Sequence, residues 1–319
     1  MVNSIILFLQ NLLEHESVMK VFAKIFSLLF ALAMAGKNVF ADSDSSISAG
    51  VGEYNFFDDI NQKTITVFYY KPSNYSPDSR ILFVLHGDTR TAFAHRLEWK
   101  ASAEKYEFML LVPCFSEEDF PGSNSFQFGN VVADKPDSAG FYTPVPERLR
   151  TFSILERLFA DFRTRERTNR TKYLIYGHSA GAQFVHRMLL FAPDANIEYA
   201  VSANAGWYIL PDYDLAWPFG LKGIETVVDE EQIRHYLEMP LLLALGDQDL
   251  YNTNRLNTSP PAMKQGENRY ARGYFYFNYC KTLAVKLGVS FGWTLLSVPG
   301  IGHSNAGMAE PVAAWLSRE

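Results

Sequence analysis

"YLIYGHSAGAQFVHRM", residues 173–188, sets a serine between two glycines where an apolar run gives way to a helix-compatible one. Tyr173–Tyr176 reads as a buried strand, and Phe184, Val185, Met188 and Leu189 recur at helical spacing. Gly177-His178-Ser179-Ala180-Gly181 joins the two. A sharp strand-to-helix turn needs small residues on both sides of its centre, because Cβ atoms there would collide. Such a turn also aims the free N–H groups of the helix N-terminus at the central residue. A serine hydroxyl is a poor nucleophile at neutral pH. It needs a base and a place for the negative charge it creates. The rest of the chain must supply both.

The same kind of apolar run recurs. "TITVFYY" (64–70), "ILFVLH" (81–86), "FMLLVP" (108–113), "KYLIYG" (172–177), "IEYAVSA" (197–203), "PLLLALG" (240–246) and "GWTLLSVP" (292–299) read as strands. Several are apolar throughout, as strands covered on both faces are. Between them, Leu149, Phe152, Leu155, Phe159 and Phe162 keep helical spacing, as do Met308, Val312, Trp315 and Leu316. Alternating strands and helices predict βαβ units. The expected fold is therefore α/β, a mostly parallel central sheet with helices on both faces, in one domain over 42–319. Three long connections, 114–146, 207–239 and 250–268, each follow a predicted strand. They are expected as loop or lid insertions at the carboxyl edge, where ligands bind in open α/β sheets.

The base is expected beyond a late strand. His303, in "SVPGIGHSNAG", is the histidine that follows the last one; His86, His95, His178, His186 and His235 come earlier. His186 is expected as a surface or packing residue on the helix after the turn, and His86 as a companion of the loop it begins. The acid lies between nucleophile and base, where "LLLALGDQDLYNT" offers Asp247 and Asp249. The order Ser, Asp, His, each at a strand end, is that of the nucleophile-elbow hydrolases. An oxyanion hole needs two N–H donors: Ala180, next to the serine, and Asp88, in "ILFVLHGDTRTA". The Asp88 side chain must turn away from a developing oxyanion, toward Arg90, Arg96 or Arg187, or fold into an Asx-turn. Phe126, Phe128, Phe141, Trp207 and Tyr208 crowd the long loops, with Trp207 and Tyr208 expected to line a substrate pocket.

At "LHGDTRTA", "YGHSAGAQFVHRM", "SANAGWYILPD", "ALGDQDLYNT" and "VPGIGHS" the sequence resembles the α/β-hydrolase superfamily. More narrowly it resembles the secreted polyhydroxyalkanoate depolymerase and feruloyl-esterase-like branch. The resemblance spans most of 62–319 and implies Ser179 as nucleophile, His303 as base and Asp249 as acid. The usual spacing of the acid three residues after a glycine, here Gly246, favours Asp249 over Asp247. No metal or cofactor is implied. Asp88 stands where the polyester depolymerases often carry cysteine, and no second, polymer-binding domain is expected.

Composition sets outer bounds. The chain has 319 residues, 48% hydrophobic, with net charge −6, which offers no basic footprint for nucleic acid. Residues 1–41 read as a secretory signal peptide: Lys20 and Lys24, the apolar run Ile25–Ala35, then Val39-Phe40-Ala41. Residues 1–18 carry Glu14 and Glu16 and fit an n-region poorly, which makes Met19 an alternative start. The apolar run is short for a bilayer span, so a secreted or periplasmic protein without a stable membrane anchor is expected. Cys114 and Cys280 are expected as two buried thiols. The function these features point to is an exported serine hydrolase acting on small or polymeric carboxylic esters through an acyl-enzyme. The alternatives are an acyltransferase using the same acyl-enzyme and a non-catalytic binding protein of this fold. Oligomeric state is not legible in the sequence.

Overall fold

β3 (Ile81–Leu85), β4 (Met109–Pro113), β5 (Tyr173–His178) and β7 (Leu241–Gly246) are buried at every residue. That is why they read as unbroken apolar runs: both faces of the sheet are covered. The computed structural model describes residues 46–251 and 255–318. The signal segment expected over 1–41 lies outside the described residues. From Ser46 onward the chain clusters as one unit.

With β1 (Gly50–Asp58), β2 (Lys63–Lys71), β6 (Ile197–Ala203) and β8 (Trp293–Val298), the sheet has eight strands in the order β1-β2-β4-β3-β5-β6-β7-β8. β1 pairs antiparallel with β2, and β2 with β4; every other pairing is parallel. The sequence reading has no strand at β1. Its residues alternate between exposed and covered, with Glu53 and Asn55 among them, so it lacks the apolar run that marks the others. An edge strand with one wet face carries half the signal.

Helices cover both faces, as expected. On one side α2 (Thr151–Glu166) and α3 (Ala180–Phe191) bury Phe152, Leu155, Phe159, Phe162, Phe184 and Val185 against Phe83, Tyr173 and Ile175. On the other, α1 (Ala92–Lys105) and α6 (Asn305–Leu316) bury Trp99, Met308, Val312 and Leu316 against Leu82, Leu174 and Tyr176. Two expected members of these stripes differ. Leu149 lies in a 3₁₀ turn before α2, and Trp315 is half-buried with its ring edge-on to Tyr199. α4 (Glu230–Glu238) and α5 (Arg269–Leu287) complete the first layer, and Cys280 on α5 is buried. Cys114 is only half-buried, against expectation, and both thiols are free. Among the described residues no helix is long and apolar enough to cross a membrane.

Register decides where the chemistry falls. Leu85 is level with Gly177, His178 with Ala203, and Gly246 with Val298. Parallel strands that end level deliver their following loops to one edge. The loops bearing Gly87, Ser179, Asn204, Asp249 and His303 therefore share that edge.

Candidate active site

β5 ends at His178, α3 begins at Ala180, and Ser179 between them has φ 58° and ψ −113°. Positive φ costs a non-glycine residue roughly 1–3 kcal/mol, and surrounding packing must hold it. Here the Ser179 N–H donates to the Ala203 carbonyl at 3.0 Å, and the Gln183 N–H donates to the Ser179 carbonyl at 3.1 Å. The two glycines are sterically required. A Cβ on Gly177 would lie 2.1 Å from the Gly181 oxygen, and one on Gly181 would lie 2.4 Å from the Leu85 oxygen. Gly181→Ala is thus expected to lower stability by about 1–3 kcal/mol or more, since the obstacle is backbone. Urea unfolding measures it, and an unchanged midpoint would show that the turn tolerates a Cβ.

Behind Ser179 the loops after β7 and β8 converge. His303 Nε2 is 3.1 Å from Ser179 Oγ, and His303 Nδ1 is 2.7 Å from Asp249 Oδ2. Asp249 is 3% exposed. Asp247, two residues earlier, does not reach His303. Its carboxylate accepts the Gly300 N–H at 2.8 Å and so braces the loop that carries the histidine. Asn204, at the end of β6 with φ 51°, accepts the Gly246 N–H on Oδ1 at 2.8 Å and donates from Nδ2 to the Gly302 carbonyl at 3.4 Å. The buried His178 ring lies 4.6 Å from that of His303. Burial first, then the neighbouring His303, His95 and Arg269, holds His178 well below the usual histidine range.

The loop after β3 faces the serine: a Cβ built on Gly87 would sit 3.6 Å from Ser179 Cβ. Ala180 opens α3, so its N–H has no partner within the helix. Among the described residues no acceptor meets it or the Asp88 N–H. His86 anchors this loop. Its Nε2 accepts the Phe115 N–H at 3.0 Å, which makes Nδ1 the protonated nitrogen, donating to the Gly87 carbonyl at 2.9 Å. Arg90 ties the loop to the 114–122 segment, donating to the carbonyls of Phe115 and Phe120 at 2.9 Å each. The Asp88 carboxylate does turn outward, but to Arg255 Nη1 at 3.1 Å, and not to Arg90, Arg96 or Arg187. Those three are already engaged: Arg96 donates to the Gly52 carbonyl, and Arg187 lies in the core.

Trp207 and Tyr208 part company. Trp207, 6% exposed, lies tilted against Phe219 at 4.2 Å and meets Phe128 edge-on at 5.5 Å. The fully buried Arg187 guanidinium lies 4.4 Å from the Trp207 ring and 4.7 Å from that of Phe128. Tyr208 is 0% exposed, stacked on Tyr276 at 4.3 Å, so its ring offers no surface to a bound molecule. Its backbone instead fixes the loop: Gln265 Oε1 accepts the Tyr208 N–H at 2.9 Å, and Gln265 Nε2 donates to the Tyr208 carbonyl at 2.7 Å. Arg272 adds a second clamp, donating to the carbonyls of Gly206, Asn257 and Gly266 at 2.6, 2.9 and 2.9 Å. Of the other aromatics, Phe126 is buried against His86, Phe128 is half-buried and Phe141 is exposed. Sequence reasoning has neither Gln265 nor Arg272, because nothing local marks a side chain that bonds a backbone dozens of residues away.

Four histidines are buried as neutral bases. Burial pushes His86 down to about 3 and lowers His178, His186 and His95. His186 is no surface residue: its Nε2 accepts the Ile209 N–H at 3.3 Å. In the unfolded chain these groups take a proton near about 6.5. Between that value and their lowered folded values the unfolded state binds more protons. Stability is therefore full above pH ~6.5 and falls as pH drops below it, by up to about 1.4 kcal/mol per unit per histidine. Urea midpoints followed with pH are expected to drop steeply below ~6.5; a flat midpoint from about pH 7 to about pH 5 would contradict the burial of neutral rings.

Among the described residues no group of three or more His, Cys, Asp or Glu side chains is arranged to hold a metal. No family model and no curated protein matches the chain. Solved structures do. Poly(aspartic acid) hydrolase-1 from Sphingomonas sp. KT-1 is 38% identical with a TM-score of 0.79, over 86% of this chain and 100% of that one. The poly(3-hydroxybutyrate) depolymerase of Bordetella parapertussis is 32% identical with a TM-score of 0.77, over 85% of this chain and 92% of that one. The S-formylglutathione hydrolase of Agrobacterium tumefaciens, 16% identical with a TM-score of 0.55, over 86% of this chain and 97% of that one, shares the fold.

Proposed function

The chain belongs to the serine hydrolases of the α/β-hydrolase fold, and from that premise we propose that it is an exported enzyme cleaving carboxylic esters through an acyl-enzyme on Ser179. The observation that supports this most is the hydrogen-bonded run Ser179 Oγ, His303 Nε2, Asp249 Oδ2, at 3.1 and 2.7 Å. Oγ attacks the ester carbonyl carbon while His303 Nε2 takes its proton. Negative charge collects on the carbonyl oxygen, toward the N–H groups of Ala180 and Asp88. Asp249 holds the imidazole in the Nδ1–H tautomer and stabilises the imidazolium. Collapse breaks the bond to the leaving alcohol, which receives the proton from His303. Water then repeats the sequence on the acyl-enzyme and frees the acid and Ser179. Trp207 forms part of the wall beside the acyl group, with Tyr208 bracing its loop from behind. Export rests on residues 19–41; the N-terminal sequence of the protein collected outside the cytoplasm is expected to begin after Ala41.

One observation favours a second substrate. The neighbour at 38% identity is named for poly(aspartic acid), a polymer joined by amides and not esters. The same acyl-enzyme serves both, and an acyltransferase would resolve it with an alcohol in place of water. The test is a panel: p-nitrophenyl esters of graded acyl length, a poly(3-hydroxybutyrate) film and poly(aspartic acid), each with and without an acceptor alcohol. Ester turnover to free acid, unaffected by the alcohol, is expected. Turnover confined to poly(aspartic acid) replaces the ester by an amide; transfer to the alcohol as main product makes the chain a transferase; saturable binding without turnover makes it a binding protein.

A further inference from the structure

Helix α5 sets a cation behind the carboxylate of the site. Arg269 is its first residue, fixed there because the Asn268 side chain caps the helix by accepting the Ala271 N–H at 2.8 Å. Arg269 Nη1 lies 3.4 Å from Asp249 Oδ1, while the other oxygen of the same carboxylate meets His303 Nδ1 at 2.7 Å. Arg269 and Asp249 are both sealed from solvent, at 2% and 3% exposure. Among the described residues Arg269 Nε has no hydrogen-bond partner. Asp249 is the carboxylate it pairs with.

We propose that Arg269 is a positioning residue, which holds Asp249 in line with His303 and sets the acid limb of the reaction at lower pH than the carboxylate alone would. The inference rests on reading Ser179, His303 and Asp249 as one catalytic unit. A carboxylate beside an imidazole favours the protonated ring, and a cation beyond the carboxylate opposes it. Where water is excluded the opposition is felt at longer range than in solvent. His303 thereby remains a free base further into acid. The same cation fixes the direction of the Asp249 carboxylate, whose other oxygen lies 2.7 Å from His303 Nδ1, so its loss also loosens the alignment on which attack depends. Arg272, one turn further along α5 and also fully buried, is spent on the carbonyls of Gly206, Asn257 and Gly266 and makes no hydrogen bond to Asp249 among the described residues. His178, from the end of β5, is buried and held neutral, and His95 on α1 lies beyond it, also lowered by burial. Glu98 on α1 is taken by Asn305, and Asp247 by the Gly300 N–H. The Asp88–Arg255 pair is exposed on the loops at the rim, where solvent screens it.

The experiment is a kcat/KM–pH profile of wild type, Arg269→Met and Arg269→Lys on one ester, with fluorophosphonate labelling of each. In Arg269→Met the acid limb is expected to move to higher pH by roughly half a unit or more, and the plateau kcat to fall several-fold. Arg269→Lys keeps the charge and is expected to keep the limb. A purely structural role would lower the melting temperature and leave the limb in place. An unmoved limb in a folded, labelled Arg269→Met overturns the inference, as does a limb that moves equally in Arg269→Lys. If Arg269→Met does not fold, Arg269→Gln takes its place, and its limb must move the same way. Failure of the wild type to label at Ser179 overturns the catalytic unit instead, so the two failures are distinct.

Discussion

Ser179→Ala and His303→Ala are each expected to lower kcat by roughly 10⁴-fold or more on a good ester, with the double variant losing little beyond either. The near-absence of further loss follows from the chemistry. Without Oγ there is no proton for His303 to take, and without the imidazole the hydroxyl stays a poor nucleophile, so either deletion removes one shared step. Steady-state rates of the three variants check this. Near wild-type kcat in Ser179→Ala would end the serine mechanism, and additive losses would mean that the two residues act in separate steps.

The second large effect separates two aspartates. Asp249→Asn is expected to cost about 10⁴-fold in kcat, because an amide can hold His303 in the wrong tautomer and cannot stabilise its cation. Asp247→Asn is expected to stay within a few-fold on kcat. Its carboxylate accepts the Gly300 N–H at 2.8 Å, and an amide oxygen can still accept that bond. Rates of the two variants on the same ester decide it. A crippled Asp247→Asn beside an active Asp249→Asn would mean that the acid in solution is not the residue 2.7 Å from His303.

Much of this architecture was legible because it depends on local chemistry. The elbow announces itself, since a Cβ on Gly177 or Gly181 would fall 2.1 or 2.4 Å from a backbone oxygen, so only glycine fits. The central strands announce themselves by being apolar on both faces. Where an element has one wet face, as β1 does, the signal is halved and the strand escapes notice. Beyond His86 on the loop after β3, the site's supports were not legible. Arg269 is one arginine among many until α5 brings it to Asp249, and Asp88 finds Arg255 rather than an arginine nearer in the chain. Trp207 and Tyr208 are adjacent in sequence, yet their rings enter different aromatic clusters, and no pattern of residue types says which of two neighbours turns inward.

Intact-mass spectrometry after treatment with a fluorophosphonate tests the reactive serine most directly. One phosphonyl group per chain is expected, on the tryptic peptide 173–187 at Ser179, with loss of ester turnover in step with labelling and no adduct in Ser179→Ala. Full ester turnover by a chain that takes no label, or a label that maps to another residue, would contradict the account.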